Sequence, residues 1–107
     1  MIKAGIIGGA GYTGGELIRL LINHPDVEIA YVNSSSNAGN YVYEVHADLF
    51  GDTDLRFTSE VSTDIDVIFL CVAHGDAKKF LAANPMPSSV KIVDLSQDFR
   101  IKGTSPE

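Results

Sequence analysis

Five glycines crowd the segment Gly8-Gly9-Ala10-Gly11-Tyr12-Thr13-Gly14-Gly15, and its two flanks differ sharply. Before it stands a short apolar run, Lys3-Ala4-Gly5-Ile6-Ile7. After it, from Thr13 to Asn23, Leu17, Ile18, Leu20 and Leu21 recur at helical spacing. Thr13 and Glu16 have the S/T-x-x-E spacing of a capping box, in which each side chain satisfies the other's free backbone donor. Pro25-Asp26 ends that helix, and Val27-Glu28-Ile29-Ala30-Tyr31-Val32 forms a second apolar run. Strand, glycine turn, helix and strand in quick succession open a parallel α/β sheet.

The rest of the chain continues the plan. Asp66 to Val72 is continuously apolar after its first residue, as strands covered on both faces are, and Val90 to Leu95 is a fourth run. Between them the pattern predicts a helix from Asp76 to Ala83, with Phe80 and Leu81 inward and Pro85-Met86-Pro87 stopping it. The expected fold is a doubly wound, mostly parallel Rossmann-type α/β sheet. Ser34 to Asn40 reads as a loop, and Leu55-Arg56-Phe57 as a short edge strand. Tyr41 to Leu49 reads equally as a short helix or an irregular segment. No repeat or low-complexity tract divides the chain, and 107 residues fit one domain.

Gly8, Gly11 and Gly14 are spaced G-x-x-G-x-x-G, a variant of the dinucleotide fingerprint. The first glycine permits a tight turn out of the strand. The middle one has no Cβ to hold a pyrophosphate off the backbone, and the last lets the helix start close to the sheet, its positive dipole end toward the phosphates. Tyr12 and Thr13 belong to the same cofactor-binding loop. The competing reading is a strand-to-helix turn that binds nothing. A triphosphate-binding loop does not fit, because Gly9 to Gly14 is followed by Gly15 and not by lysine. An NAD site usually carries an acid after the second strand, for the ribose 2′-hydroxyl. Here the chain runs Val32-Asn33-Ser34-Ser35-Ser36, whose hydroxyls can donate to a 2′-phosphate, so NADP is the expected cofactor. No arginine stands beside them, and a polar loop touching nothing is the alternative. His74 and Gly75 follow the third strand, where they either line the cofactor or open a helix in solvent. Cys71, among Phe69, Leu70 and Val72, reads as a buried, unactivated thiol. His24 and His46 read as surface residues, and no spacing argues for a metal.

Composition narrows the partners. A net charge of −6 disfavours nucleic acid and anionic membranes. The longest apolar stretch, Val67 to Ala73, is far short of the roughly 20 residues of a membrane span. The start shows no secretory cleavage pattern. One cysteine forms no internal disulfide, which points to a reduced, cytoplasmic setting.

Three segments together resemble a known family: Gly8 to Leu17, then Phe69-Leu70-Cys71-Val72-Ala73-His74-Gly75, then Val93-Asp94-Leu95-Ser96-Gln97-Asp98-Phe99-Arg100. The chain is similar throughout to the N-acetyl-gamma-glutamyl-phosphate reductases, which belong with the aspartate-semialdehyde dehydrogenases. The resemblance implies reduction of an acyl phosphate to a semialdehyde with NADPH, a step of arginine biosynthesis. It implies a nucleophilic cysteine in a Gly-Cys-aromatic-Pro-Thr motif that these residues lack. Residues 1–107 would then be the NADP-binding domain, inactive alone, with the catalytic and substrate domain absent and no catalytic residue in the chain. Ser96 and Arg100 would hold the substrate phosphate, a task suited to a guanidinium fork, although a local Arg100–Asp98 pair is the alternative. The implied partners are the small acyl-phosphate substrate and, for the full-length enzyme, further copies in a homo-oligomer. A stand-alone, non-catalytic dinucleotide-binding module is the competing reading of the whole.

Overall fold

Val- and Ile-rich runs become strands because branched side chains pack well on a pleated surface. In the computed structural model of the protein, which describes residues 1–72 and 74–95, five runs form one sheet. They are β1 (Ile2–Ile7), β2 (Val27–Asn33), β3 (Phe57–Thr58), β4 (Val67–Leu70) and β5 (Lys91–Asp94). Every pairing is parallel, and the order is β3-β2-β1-β4-β5. Helix α1 (Tyr12–Ile22) joins β1 to β2, and α2 (His74–Ala83) joins β4 to β5. The strand order reverses between β1 and β4. In open α/β sheets ligands bind at that switch point, outside the carboxyl ends of the strands.

Side-chain alternation divides the core between the two faces. Ala4, Ile6, Ile18, Leu21, Val32, Val42, Leu49 and Phe57 are buried together on the α1 face. Ile7, Ile65, Ile68, Leu70, Ala77 and Val90 are buried on the other, with Phe80 and Leu81 of α2 packed against them. β4 therefore buries Ile68 and Leu70 on one face and leaves Val67 and Phe69 half-buried on the other. Its unbroken apolar run has this cause.

Four expectations need correction. α1 begins at Tyr12 with Gly11 as its N-cap, so Thr13 already lies inside the helix and caps nothing. Glu16, freed from that role, accepts a hydrogen bond from Arg19 at 2.7 Å. Leu20 is on the outer face, 68% exposed, while Ile18 and Leu21 carry the packing. β4 ends at Leu70, one residue short of Cys71, whose N–H still donates to the Ile7 carbonyl at 2.8 Å. The edge strand is β3, and it shares only Phe57 with the expected Leu55–Phe57.

The undecided stretch resolves into two single 3₁₀ turns, Val42–Glu44 and Ala47–Leu49. Each drops one aliphatic side chain, Val42 or Leu49, into the α1-face core. A third such turn, Ser35–Asn37, follows β2.

Candidate functional site

At the carboxyl end of β1 the chain must turn sharply and re-enter as a helix. Gly8 makes the turn with φ +82°, a left-handed value that strains residues with a Cβ. The amides of Gly8 and Gly9 both donate to the Asn33 carbonyl, at 3.0 and 3.1 Å, which ties the loop to the end of β2. Gly11 donates to the Gly8 carbonyl at 3.2 Å, and the ladder of α1 opens with Gly15 N–H to the Gly11 carbonyl at 3.0 Å. The N–H groups of Ala10, Tyr12, Thr13 and Gly14 find no acceptor among the described residues. Three of them belong to the first turn of a helix, where free amides and the aligned peptide dipoles favour an anion.

Gly14 and Gly11 differ in a telling way. A Cβ on Gly14 would stand 2.7 Å from both the Gly8 oxygen and the Gly9 Cα, so the fold itself requires glycine there. Among the described residues, a Cβ on Gly11 would have only the Gly8 oxygen nearby, at 3.6 Å. Gly11 is exposed and extended, at φ −77° and ψ 172°, where any residue is at ease. Internal packing does not account for a glycine at this position.

The end of β2 supplies hydroxyls and no acid. Ser34 is buried, its N–H donating to the Thr58 carbonyl at 2.9 Å, while Ser35 and Ser36 are exposed on the 3₁₀ turn. The Asn37 side-chain amide donates to Ser34 Oγ and Ser36 Oγ, each at 3.3 Å. Both oxygens act as acceptors there, so their own protons remain available to an anionic ligand. His74 and Gly75 open α2 at the carboxyl end of β4, on the same edge of the sheet as the glycine loop. Ser96, Asp98 and Arg100 lie outside the described residues.

Cys71 sits beside this crevice, and burial pushes its thiol up to about 12. A neutral thiol is a poor nucleophile. Among the described residues no three His, Cys, Asp or Glu side chains gather as metal ligands, and no helix is long and apolar enough to cross a membrane.

His24 is exposed, its Nδ1 accepting from the Asp26 amide at 3.1 Å. His46 is not a surface residue of that kind. It is half-buried, with Nε2 2.7 Å from the Gly9 carbonyl oxygen. The signal for it in the sequence was Gly15, a glycine beyond the fingerprint spacing with no role in it.

The chain matches the family model described as "Semialdehyde dehydrogenase, NAD binding domain" over residues 3–106. It is 66% identical over 103 residues to the N-acetyl-gamma-glutamyl-phosphate reductase of Phocaeicola vulgatus, covering 95% of this chain and 32% of that protein. The reductases so named in Bacteroides thetaiotaomicron and Christiangramia forsetii are 64% and 55% identical, each with 95% of this chain covered. The chain thus spans about 32% of the length of the curated relatives it matches. Among solved structures, the aspartate semialdehyde dehydrogenase of Candida albicans, determined with NADP, superposes with a TM-score of 0.68 at 23% identity. That match covers 94% of this chain and 31% of the other, and it shows the shared fold.

Proposed function

Because the chain belongs to the family of semialdehyde dehydrogenase NAD-binding domains, we propose that it is the NADP(H)-binding domain of an N-acetyl-gamma-glutamyl-phosphate reductase, which reduces an acyl phosphate to a semialdehyde in arginine biosynthesis. The observation that carries this reading is the open space before Gly11, beside helix-start amides with no acceptor among the described residues. The residues fit the cofactor. The amides of Tyr12, Thr13 and Gly14 would hold the pyrophosphate, and Ser34 and Ser36, with Ser35 beside them, would donate to the 2′-phosphate. His74 and Gly75 would border the nicotinamide half. When bound, NADPH supplies the hydride.

The substrate phosphate is assigned to Ser96 and Arg100, by the family resemblance of the Val93–Arg100 segment. The attacking thiolate must come from elsewhere than Cys71, whose burial keeps it protonated. Residues 1–107 act in this reading as one cofactor domain of a longer cytoplasmic enzyme, assembled as a homo-oligomer and acting on a small acyl phosphate.

Calorimetric titration with NADP and NAD tests the cofactor assignment. NADP should bind the more tightly, and equal affinities or a preference for NAD would overturn the serine reading. Gly11→Val tests the loop. The new side chain meets no protein atom closely, so circular dichroism and Tm should be unchanged. Dinucleotide affinity should fall by about tenfold or more, because the valine occupies the ligand's place. Undiminished binding by the folded variant would put the pyrophosphate elsewhere.

A further inference from the structure

The two 3₁₀ turns between Val42 and Leu49 cross the start of α1, and one side chain from them reaches into the glycine loop. His46 Nε2 is 2.7 Å from the Gly9 oxygen. A carbonyl only accepts, so Nε2 carries the proton in this contact. The ring lies flat against α1, where a Cβ on Gly15 would stand 2.5 Å from its Cε1 and Nδ1. Phe57 supports the ring edge-on, with centroids 6.5 Å apart. The strap that carries His46 is itself fastened: Val42 and Leu49 are buried, and Arg19 of α1 hydrogen-bonds Asp48 through Nε at 2.9 Å.

Gly9 is therefore held from two sides, its N–H by Asn33 and its carbonyl by His46. In a planar trans peptide the carbonyl and the next N–H point in opposite directions. With the Gly9 carbonyl turned to His46, the Ala10 N–H is turned away from it and has no acceptor among the described residues. We propose that His46 is a positioning residue of the dinucleotide site, locking the Gly9–Ala10 peptide so that the Ala10 N–H joins those of Tyr12, Thr13 and Gly14 on the pyrophosphate. The inference rests on the reading of the loop as a dinucleotide site. It also gives Gly15 its reason: the glycine makes room for the imidazole.

The test measures NADPH affinity and Tm in the full natural chain. His46→Ala should raise the Kd for NADPH by about tenfold, from one lost hydrogen bond and a carbonyl left unpaired. His46→Gln, which keeps a donor within reach of Gly9, should recover most of that loss. Gly15→Ala should weaken NADPH comparably by displacing the ring, yet cost nothing further in the His46→Ala background, where the ring is gone. Native affinity in His46→Ala overturns the proposal. So does a His46→Gln variant no better than His46→Ala, or a Gly15→Ala penalty that persists without the ring. If His46→Ala does not fold, the glutamine variant and Gly15→Ala decide alone, since loss of affinity by Gly15→Ala at unchanged Tm supports the lock and unchanged affinity refutes it. Should the unaltered protein fail to bind NADPH, the dinucleotide reading falls first and the role of His46 with it. Native binding with unaffected variants removes His46 alone.

Discussion

Gly14 and Gly15 are neighbours in α1, yet they answer to different parts of the chain. Gly14 gives way to the backbone of the loop that precedes it, and Gly15 to a histidine from the strap. Cys71 shows the opposite kind of constraint, a reactive atom made inert by its surroundings. Its thiol is pushed up to about 12, so at pH 8 nearly all of it is protonated. Iodoacetamide should therefore label native Cys71 more than about a hundredfold slower than a free cysteine, whose pKa is near 8.5. Labelling should reach the free-thiol rate in denaturant. Mass spectrometry of the alkylated protein with and without urea measures both rates, and rapid native labelling would contradict the burial.

At the scale of elements, α1 is anchored by a narrow set of contacts. Ile18 is fully buried and Leu20 is 68% exposed, two residues apart in the same helix. Ile18→Ala should cost about 2–5 kcal/mol in urea unfolding, the range for a large aliphatic side chain cut back in a packed core. Leu20→Ala should stay within about 0.5 kcal/mol, as surface changes do. Equal losses would mean that the helix is rotated from the orientation described. Composition alone could not separate these two residues, because leucine at helical spacing marks a face only to within a turn. β1, α1, β2 and β4 were legible, since apolar runs and a glycine turn are local signals. The Thr13–Glu16 box misled because its spacing is also local, whereas the true N-cap was set by the close approach of the loop at Gly14. The strap was unreadable for a related reason. Its 3₁₀ turns are too short for a period to show, and the partners of His46 and Asp48 lie 37 and 29 residues away. The glycine fingerprint and the serine run were plain in the sequence, while the histidine that holds the loop was not.

At the scale of the whole molecule, the described residues cover the sheet unevenly. On the α1 face, Ile2, Leu21, Val27, Val67 and Phe69 line an open depression of about 540 Å³ at the amino ends of the strands, remote from the glycine loop. Parallel sheets are normally covered on both faces. Residues 1–107 prepared alone should accordingly bind an apolar dye such as ANS while keeping native circular dichroism. The signal should survive saturation with NADPH, which separates this patch from the cofactor crevice, and should fall in Val67→Thr. Absence of dye fluorescence would mean that the face is closed. The order of the strands also has a consequence on the ribosome. β2 follows β1 closely in sequence, but β4, the partner of the other edge of β1, comes only later, and the Lys3 amide meets the Asp66 carboxylate across 63 residues. At roughly 5–20 residues per second of synthesis, that edge of β1 stays unpaired for roughly 3–13 s. The central strand of the finished sheet is thus, during translation, an edge strand awaiting its second partner.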